Sequence, residues 1–377
     1  MQTQNNFMQA PAGLCQGGKL ISLRSMLSRG PPPMLGLDIG ASSLKLVELE
    51  RTRSGQLVLQ RCASEPMQPG WMVDGQIHDF DEIVRTLKQL LSASASPTRR
   101  VAMALPTAAV LVKKIRLPAK LQPQALQQQV ETAAAEYFPF PLDECHLDYG
   151  VAETPAPTDG LVDVEIAVAR MERVLALQEL AQAAGLTPWV VDSHAFAARH
   201  AISRLMDYLP QGQESQTLAF FELGCDSSSL QIRCAGQFVH HREMAVGGAA
   251  LTQEIAARQG GTWAQAEQQK IHTHHAAPWV KERVASFVDK LTADLSQALQ
   301  AFNLDGAYPP VAHVMLAGGS AELAGLADSL RARVRAPCVL LDPFVGMALG
   351  ASLSEGQIRH KPAYLTACGL ALRRFLP

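Results

Sequence analysis

Two short stretches carry the residues best placed for chemistry on an anion. The first reads Leu35-Gly36-Leu37-Asp38-Ile39-Gly40-Ala41-Ser42-Ser43-Leu44-Lys45, and the second Ala219-Phe220-Phe221-Glu222-Leu223-Gly224-Cys225-Asp226-Ser227-Ser228-Ser229. Each is an apolar run, an acid, an apolar residue, a glycine, and a small hydroxyl-rich turn ahead of a second apolar stretch. The pattern predicts a hairpin whose tight turn presents backbone N–H groups and hydroxyls, a concave donor array that suits a phosphate. Leu44, Leu46 and Leu49 flank Lys45 and Glu48, as in a strand buried mainly on one side. Gly40 stands where a Cβ would obstruct a ligand or the turn itself. One such hairpin reads equally well as an ordinary glycine turn with no ligand. Two copies, spaced far too widely for a solenoid, read as a duplicated domain.

A third glycine element, Val314-Met315-Leu316-Ala317-Gly318-Gly319-Ser320-Ala321-Glu322-Leu323, reads as a strand running into Gly-Gly-Ser and then a helix. That geometry suits a base or ribose lying against bare backbone at a helix start. Other sites are weaker. His272, His274 and His275, with the His240-His241 pair, lack a cysteine or carboxylate to complete a ligand set, and read as a solvated helix end. No P-loop and no nucleophile elbow is present.

The elements that must position these residues follow from periodicity. Asp79 or Asp81 caps a helix to Leu91, the Ser/Ala/Pro run at 92–98 ends it, and a strand covers Arg100 to Leu105. Residues 107–187 form a candidate inserted unit. It holds a strand at Val110–Leu117, a helix at Gln124–Tyr137, the Phe138-Pro139-Phe140-Pro141 breaker, strands near Cys145–Ala152 and Val162–Ala169 around a Pro/Gly loop at Thr154–Gly160, and a helix at Met171–Ala184. A strand near Trp189 and a helix at Ala195–Met206 return the chain to its first domain, and Pro210-Gln211-Gly212 links to the second. That half carries helices at Gly248–Gln259, Trp263–Thr273 and Val280–Phe302. In the last, Val284, Phe287, Val288, Leu291, Leu295, Leu299 and Phe302 keep a period near 3.6, which reads as a core helix, with a coiled-coil surface as the alternative. The domain division is therefore 34–106 with 188–212, the insert 107–187, a second domain 213–350, and a return to the first over 351–377. Residues 1–33 read as an extension. Within it Lys19–Arg29 fits a short membrane-surface helix, a disordered tail, or sequence upstream of a start at Met26 or Met34.

Composition sets outer bounds. With 377 residues, 47% hydrophobic, the chain is long enough for two or more domains with sizeable cores. A net charge of −2 and 6% aromatic content give no footing for nucleic acid. No apolar stretch approaches the ~18 residues of a membrane span, and the polar start carries no signal-peptide pattern. The seven scattered cysteines form no C-x-x-C pair, so neither a disulfide framework nor a zinc knuckle is indicated and a reducing cytoplasm fits.

Three glycine elements in this order resemble the actin/hexokinase superfamily. Asp38 to Lys45 resembles its first phosphate motif, Glu222 to Ser229 the second, and Leu316 to Ser320 the adenosine motif. Ala266-Glu267-Gln268-Gln269-Lys270 resembles the helix whose Glu and Lys border the nucleotide in bacterial actins, and Leu341 to Gly350 resembles the closing helix that packs the halves together. Met103-Ala104-Leu105-Pro106, Glu136 to Leu142, Asp192-Ser193-His194-Ala195-Phe196-Ala197 and Ala367 to Arg373 narrow the resemblance to the PilM family of FtsA-like pilus assembly proteins.

The resemblance implies an α/β fold of actin-like (ribonuclease H-like) duplicated domains with an FtsA/PilM-type 1C insertion. It implies ATP or ADP with Mg²⁺, bound by Asp38, Gly40, Ser42, Ser43 and Lys45 on one side and by Gly224, Ser227 and Ser228 on the other. Glu267, Lys270, Gly318, Gly319 and Ser320 would surround the nucleoside, while Asp38 and Glu222 would hold Mg²⁺ through water. Glu222 is one methylene longer than the usual Asp. Mg²⁺ demands near-octahedral geometry, and misplacement by ~1 Å can cost ~100-fold in rate, so weak or absent hydrolysis is expected. The alternative is a strand-end acid that caps a turn. The implied partner is a PilN-like inner-membrane protein, its cytoplasmic N-terminal peptide lying between subdomains 1A and 1C near Val110–Leu117, Gln124–Phe138 and the Phe-Pro-Phe-Pro corner. Pilus ATPases and self-association are further implied contacts, and the implied place is cytoplasmic, at the inner membrane through the partner. A small-molecule kinase and an FtsA-like membrane tether are the competing readings, and a mannose-sensitive haemagglutinin pilus competes with the type IV pilus.

Overall fold

Alternating apolar residues build the first hairpin, and the rest of the chain is arranged around it. The computed structural model describes residues 31–151, 160–209 and 216–376. The helix expected at 19–29, the loop from Thr154 and the linker at 210–212 lie outside the described residues.

The chain begins with strands β1 (Leu35–Ile39), β2 (Ser43–Arg51) and β3 (Leu57–Pro66), a short ribbon of β4 (Met72–Val73) with β5 (Gln76–Ile77), and helix α1 (Phe80–Ser94). Asp79 caps α1 by accepting from the N–H of Glu82 at 3.3 Å, which satisfies one of its orphan first-turn donors. Strand β6 (Arg100–Leu105) follows, then β7 (Val110–Pro118), helix α2 (Pro123–Tyr137), β8 (Cys145–Val151), β9 (Leu161–Arg170), helix α3 (Met171–Ala183), β10 (Thr187–Ser193) and helix α4 (His194–Leu205). Beyond these come β11 (Leu218–Leu223), β12 (Ser228–Cys234), β13 (Gln237–Met244), helices α5 (Ala249–Gln259), α6 (Trp263–Ile271) and α7 (Pro278–Asp305), β14 (His313–Ala317), α8 (Leu326–Val334), β15 (Cys338–Leu340), β16 (Ala348–Leu349) and α9 (Leu365–Leu372).

The first sheet has the order β10-β6-β1-β2-β3-β16 and the second β13-β12-β11-β14-β15. In the first, β1, β2 and β3 are antiparallel neighbours, and β6 and β10 run parallel beside β1. The second repeats this with β11, β12 and β13 antiparallel and β14 and β15 parallel. The duplication read from the two hairpins is thus a duplication of whole sheets. A separate three-stranded sheet, β7-β9-β8, and α2 close over their own core of Leu117, Val130, Ala134, Phe138, Ile166 and Val168.

Helices α4 and α9 lie between the two large sheets. Their core joins Val47, Leu49 and Leu59 of the first sheet to Leu218, Phe220 and Met315 of the second through Ala198, Ile202, Leu365, Cys368 and Leu372. The approach is close enough that a Cβ on Gly36 would overlap the backbone of Ala367 and Ala371, and one on Gly369 the carbonyl of Ala197. Arg199 of α4 joins all three units. Its Nε donates to Gln231 Oε1 of β12 at 3.1 Å, its Nη1 lies 3.4 Å from the Glu165 carboxylate of β9, and its guanidinium sits 5.3 Å from the Phe238 ring of β13.

Helix α7 is a core helix. Val280, Val284, Val288, Leu291, Leu295, Leu299 and Phe302 are buried in the second sheet's core, while Phe287 is only partly covered. Residues 341–350 do not form the closing helix. Asp342 Oδ1 accepts from the N–H of Phe344 at 2.8 Å, the Asx geometry that favours turns over helix. The chain then enters β16 beside β3, and the helix that packs the halves together is α9.

Candidate functional site

Register decides which side chains share a face. Asp38 stands opposite Lys45, and Lys45 opposite Ser64, so these three form a row across β1, β2 and β3. In the second sheet the same row is Glu222, Ser229 and Glu243. Ser229 therefore holds the place of Lys45, and the second row carries no cation.

Asp38 is buried, and its Oδ2 accepts from Lys45 Nζ at 3.1 Å. His194, the first residue of α4, brings Nε2 to 3.5 Å from Asp38 Oδ1. Burial holds the His194 pKa below its ordinary value; Asp38 opposes this and Lys45 reinforces it. Across the cleft, Glu222 Oε1 accepts from Thr366 Oγ1 of α9 at 2.7 Å. Burial pushes the Glu222 carboxyl up to about 7, against the Thr366 hydrogen bond and with help from the negative charge of Asp38. Glu222 keeps part of its surface open, so it lies deep in a cleft rather than in the core. Helix α9 joins the two hairpin ends: Thr366 bonds Glu222, and the next residue, Ala367, packs its carbonyl on Gly36, two residues before Asp38.

The two turns share a hydrogen bond. Gly40 N–H donates to Ser43 O at 3.1 Å, and Gly224 N–H to Ser227 O at 3.0 Å. They differ in what surrounds them. Ser42 and Ser43 are half-buried beside a turn whose backbone meets Met67. The second turn is clamped: Gly224 O accepts from Gly248 N–H at 3.0 Å and from Ser320 Oγ at 3.2 Å, and Cys225 O accepts from Ala249 N–H at 2.9 Å. The Ser228 hydroxyl is spent on Val246 O at 2.6 Å, whereas Ser227 is exposed.

The third element meets the same turn. Gly318 has φ 90 and a Cβ on it would overlap the backbone of Leu223, so only glycine fits. Gly319 is open and exposed, with nothing within 4 Å of the place a Cβ would take. No helix starts here, contrary to the sequence reading. Ser320 N–H is used by Leu223 O at 3.0 Å and Gly318 N–H by Pro362 O at 2.8 Å, and α8 begins only at Leu326. Beside this turn Lys270, 3% exposed, donates to Glu267 Oε1 at 2.7 Å, Thr252 Oγ1 at 2.8 Å and Gly248 O at 3.3 Å. All three of its protons have protein acceptors, so Lys270 ties α6 to the start of α5. Helix α6 ends at Ile271, so His272 and His275 do not share a helical face.

The cleft floor thus gathers Asp38, Lys45 and Glu222, and the Gly224 side gathers Ser227, Gly318, Gly319, Ser320, Glu267 and Lys270. Sequence reasoning missed His194, Glu243 and Thr366 as neighbours of the acids. For His194 a signal existed: it follows Ser193, which caps α4 by accepting from Phe196 N–H at 3.2 Å.

Two sheets that share a five-strand topology, the first extended at its edge by β16, each with an acid near the end of its first strand at a shared cleft and with helices packed between them, define an actin-like protein. A solved structure described as a PilM-PilN type IV pilus biogenesis complex superposes with a TM-score of 0.76 at 28% identity, over 91% of this chain and 99% of that one. The ethanolamine utilization protein EutJ from Carboxydothermus hydrogenoformans shares the fold at 13% identity, with a TM-score of 0.53 over 93% of each chain. The family model for type IV pilus assembly protein PilM matches residues 36–375, and the chain belongs to that family.

Proposed function

We propose that this protein is a nucleotide-binding scaffold of a type IV pilus, or related pilus, assembly complex, and that it docks a peptide of an inner-membrane partner. The observation that carries the nucleotide reading is the pairing of Asp38–Lys45 with Glu222 at the mouths of two matching turns. The residues fit ATP or ADP with Mg²⁺. Bare backbone at Gly40 and Gly319, hydroxyls at Ser42, Ser43 and Ser227, and one ammonium at Lys45 suit phosphate and ribose oxygens. Mg²⁺ would neutralise phosphate charge between Asp38 and Glu222, which would hold its waters. Burial raises the Glu222 carboxyl, and its Oε1 is already committed to the Thr366 hydroxyl. An acid one methylene longer than Asp and held by Thr366 is poorly placed to orient a water, which supports binding with little or no turnover.

For the partner, family membership and the PilM-PilN complex support a PilN-like protein, and the proposal lays its cytoplasmic N-terminal peptide along β7, α2 and the Phe138–Pro141 corner. Where the first sheet meets α3 there is a cavity of about 30 Å³, lined among others by Ile39, Met72, Leu105, Arg173 and Leu177. Its size suits one small side-chain tip rather than a whole peptide. Among the described residues no helix is long and apolar enough to cross a membrane, so membrane association is assigned to the partner.

Isothermal titration with Mg·ATP, alongside a phosphate-release assay, tests the scaffold reading. Micromolar binding that disappears in Lys45→Ala, with negligible release, is the expected result. Rapid release would overturn the role given to Glu222, and no binding by the folded protein would leave the peptide-docking half alone.

A further inference from the structure

The nucleoside side of the cleft carries an aromatic pair that the acids do not explain. His272 caps the C-terminal end of α6, directly after the turn that supplies Glu267 and Lys270. His360 sits in left-handed backbone, φ 53, just ahead of a short helix at Lys361–Tyr364. Their ring centroids are 5.5 Å apart, with the planes inclined at 41°.

Both segments converge on the Gly318–Ser320 turn. Pro362 O accepts from Gly318 N–H at 2.8 Å, which lays the His360 segment against the turn. On the other element, Lys270 reaches Gly248, whose α-carbon faces both Lys270 Nζ and Ser320 Oγ. His360 is held in place: its Nδ1 lies 2.5 Å from Glu322 Oε2, two residues past Ser320. That hydrogen bond also raises the His360 pKa. Next to it, Lys361 is anchored by Asp342 at 2.9 Å. His272 is exposed, and Gly319, in the turn that Pro362 contacts, offers bare, open backbone.

Two imidazoles inclined at 41°, with His360 held in place beside uncovered backbone, offer an outer ring face to a planar π-system. Stacked rings sit about 3.5 Å apart, so a base inserted between two others needs their centroids about 7 Å apart. At 5.5 Å the pair admits no ring between its members, and a base can only lie on an outer face.

We propose that His272 and His360 form the base platform of this cleft: a purine nucleoside lies along Gly319 and stacks on the outside of the pair, with Glu322 orienting His360. The proposal rests on the reading of the cleft as a nucleotide site and adds the residues that select for a base. His360 is a base-stacking residue; Glu322 acts through it.

The test is isothermal titration of the full chain with two probes, Mg·ADP and Mg·tripolyphosphate, the second lacking any base. Loss of one base–aromatic stack weakens ADP binding by about 10-fold. His360→Ala is expected to show that loss with tripolyphosphate unchanged. His272→Ala, which removes the ring bracing it, should show a smaller loss of ADP binding alone, while His360→Phe, which keeps a stacking face, restores most of the binding. Circular dichroism melts confirm folding, and the exposed His272 makes His272→Ala the safer variant. Wild-type binding of ADP that is unaltered in both alanine variants overturns the platform while leaving the nucleotide site standing. Equal loss of both probes overturns it also, because the effect would not involve the base. A wild type that binds neither probe overturns the nucleotide reading and the platform with it.

Discussion

A carboxyl that keeps its proton near neutrality makes the stability of its protein depend on pH in an uncommon direction. Glu222 is raised from 4.5 to about 7, chiefly by burial. Between those values the folded chain binds a proton there that the unfolded chain has released, so stability from this group is present below pH 4.5 and is lost as pH rises towards 7. Glu222→Gln keeps an acceptor for the Thr366 hydroxyl and has no charge to pay for. Metal-free Glu222→Gln should therefore gain on wild type as pH rises, by about 2–3 kcal/mol at pH 8 relative to pH 4.5. Urea unfolding of both proteins across that range measures it, and a difference that stays flat with pH sinks the argument. At the other acid, Lys45→Met strips the buried Asp38 of its ammonium. A loss of about 1–3 kcal/mol is expected from the stranded carboxylate, read from the urea midpoint; an unchanged midpoint would mean that solvent or His194 takes over.

At the level of elements, the parts legible in the sequence were those with a strict period. The hairpins declared themselves by alternating apolar residues around a glycine turn, and α7 by its 3.6 repeat. What failed depended on partners remote in the chain. After Gly319 the residues look helical, yet Gly318 O and Ser320 O accept from Ala321 and Leu323 in tight i→i+3 turns rather than helical bonds, and the helix begins only at Leu326. Residues 341–350 resembled a closing helix, but Asp342 turns the chain and Phe344 fills the central core. The true closing helix, α9, is buried at all eight positions and so carries no amphipathic stripe to identify it. His194 went unassigned because the Ser193 cap fixes it at a helix start but does not reveal that Asp38 lies beside it. The fit of α9 gives a prediction: Gly369→Ala drives a methyl into the Ala197 carbonyl and should cost about 1–3 kcal/mol or more, visible as a lowered Tm. A melt identical to wild type would show that α4 can shift aside.

For the molecule as a whole, the question is whether the small sheet and the two large ones behave as one body. Arg199 answers structurally, since from α4 of the first domain its guanidinium meets Glu165 of the small sheet and both Gln231 and Phe238 of the second large sheet. If it couples them, Arg199→Ala and Glu165→Gln should be non-additive in urea unfolding, with an interaction of about 0.5–2 kcal/mol. Strict additivity would mean that the small sheet rides independently of the cleft. The placement of α9 has a different consequence, for the order in which the protein can be made. Every strand of both large sheets, and α4, is translated before residue 365, yet α9, the second helix lodged between those sheets, comes afterwards. During synthesis each half can fold as its own unit, but the two face each other across a half-filled apolar seam until α9 emerges. The nascent chain is most exposed to chaperone capture or mispairing in that interval, and the joined cleft comes into being only after it.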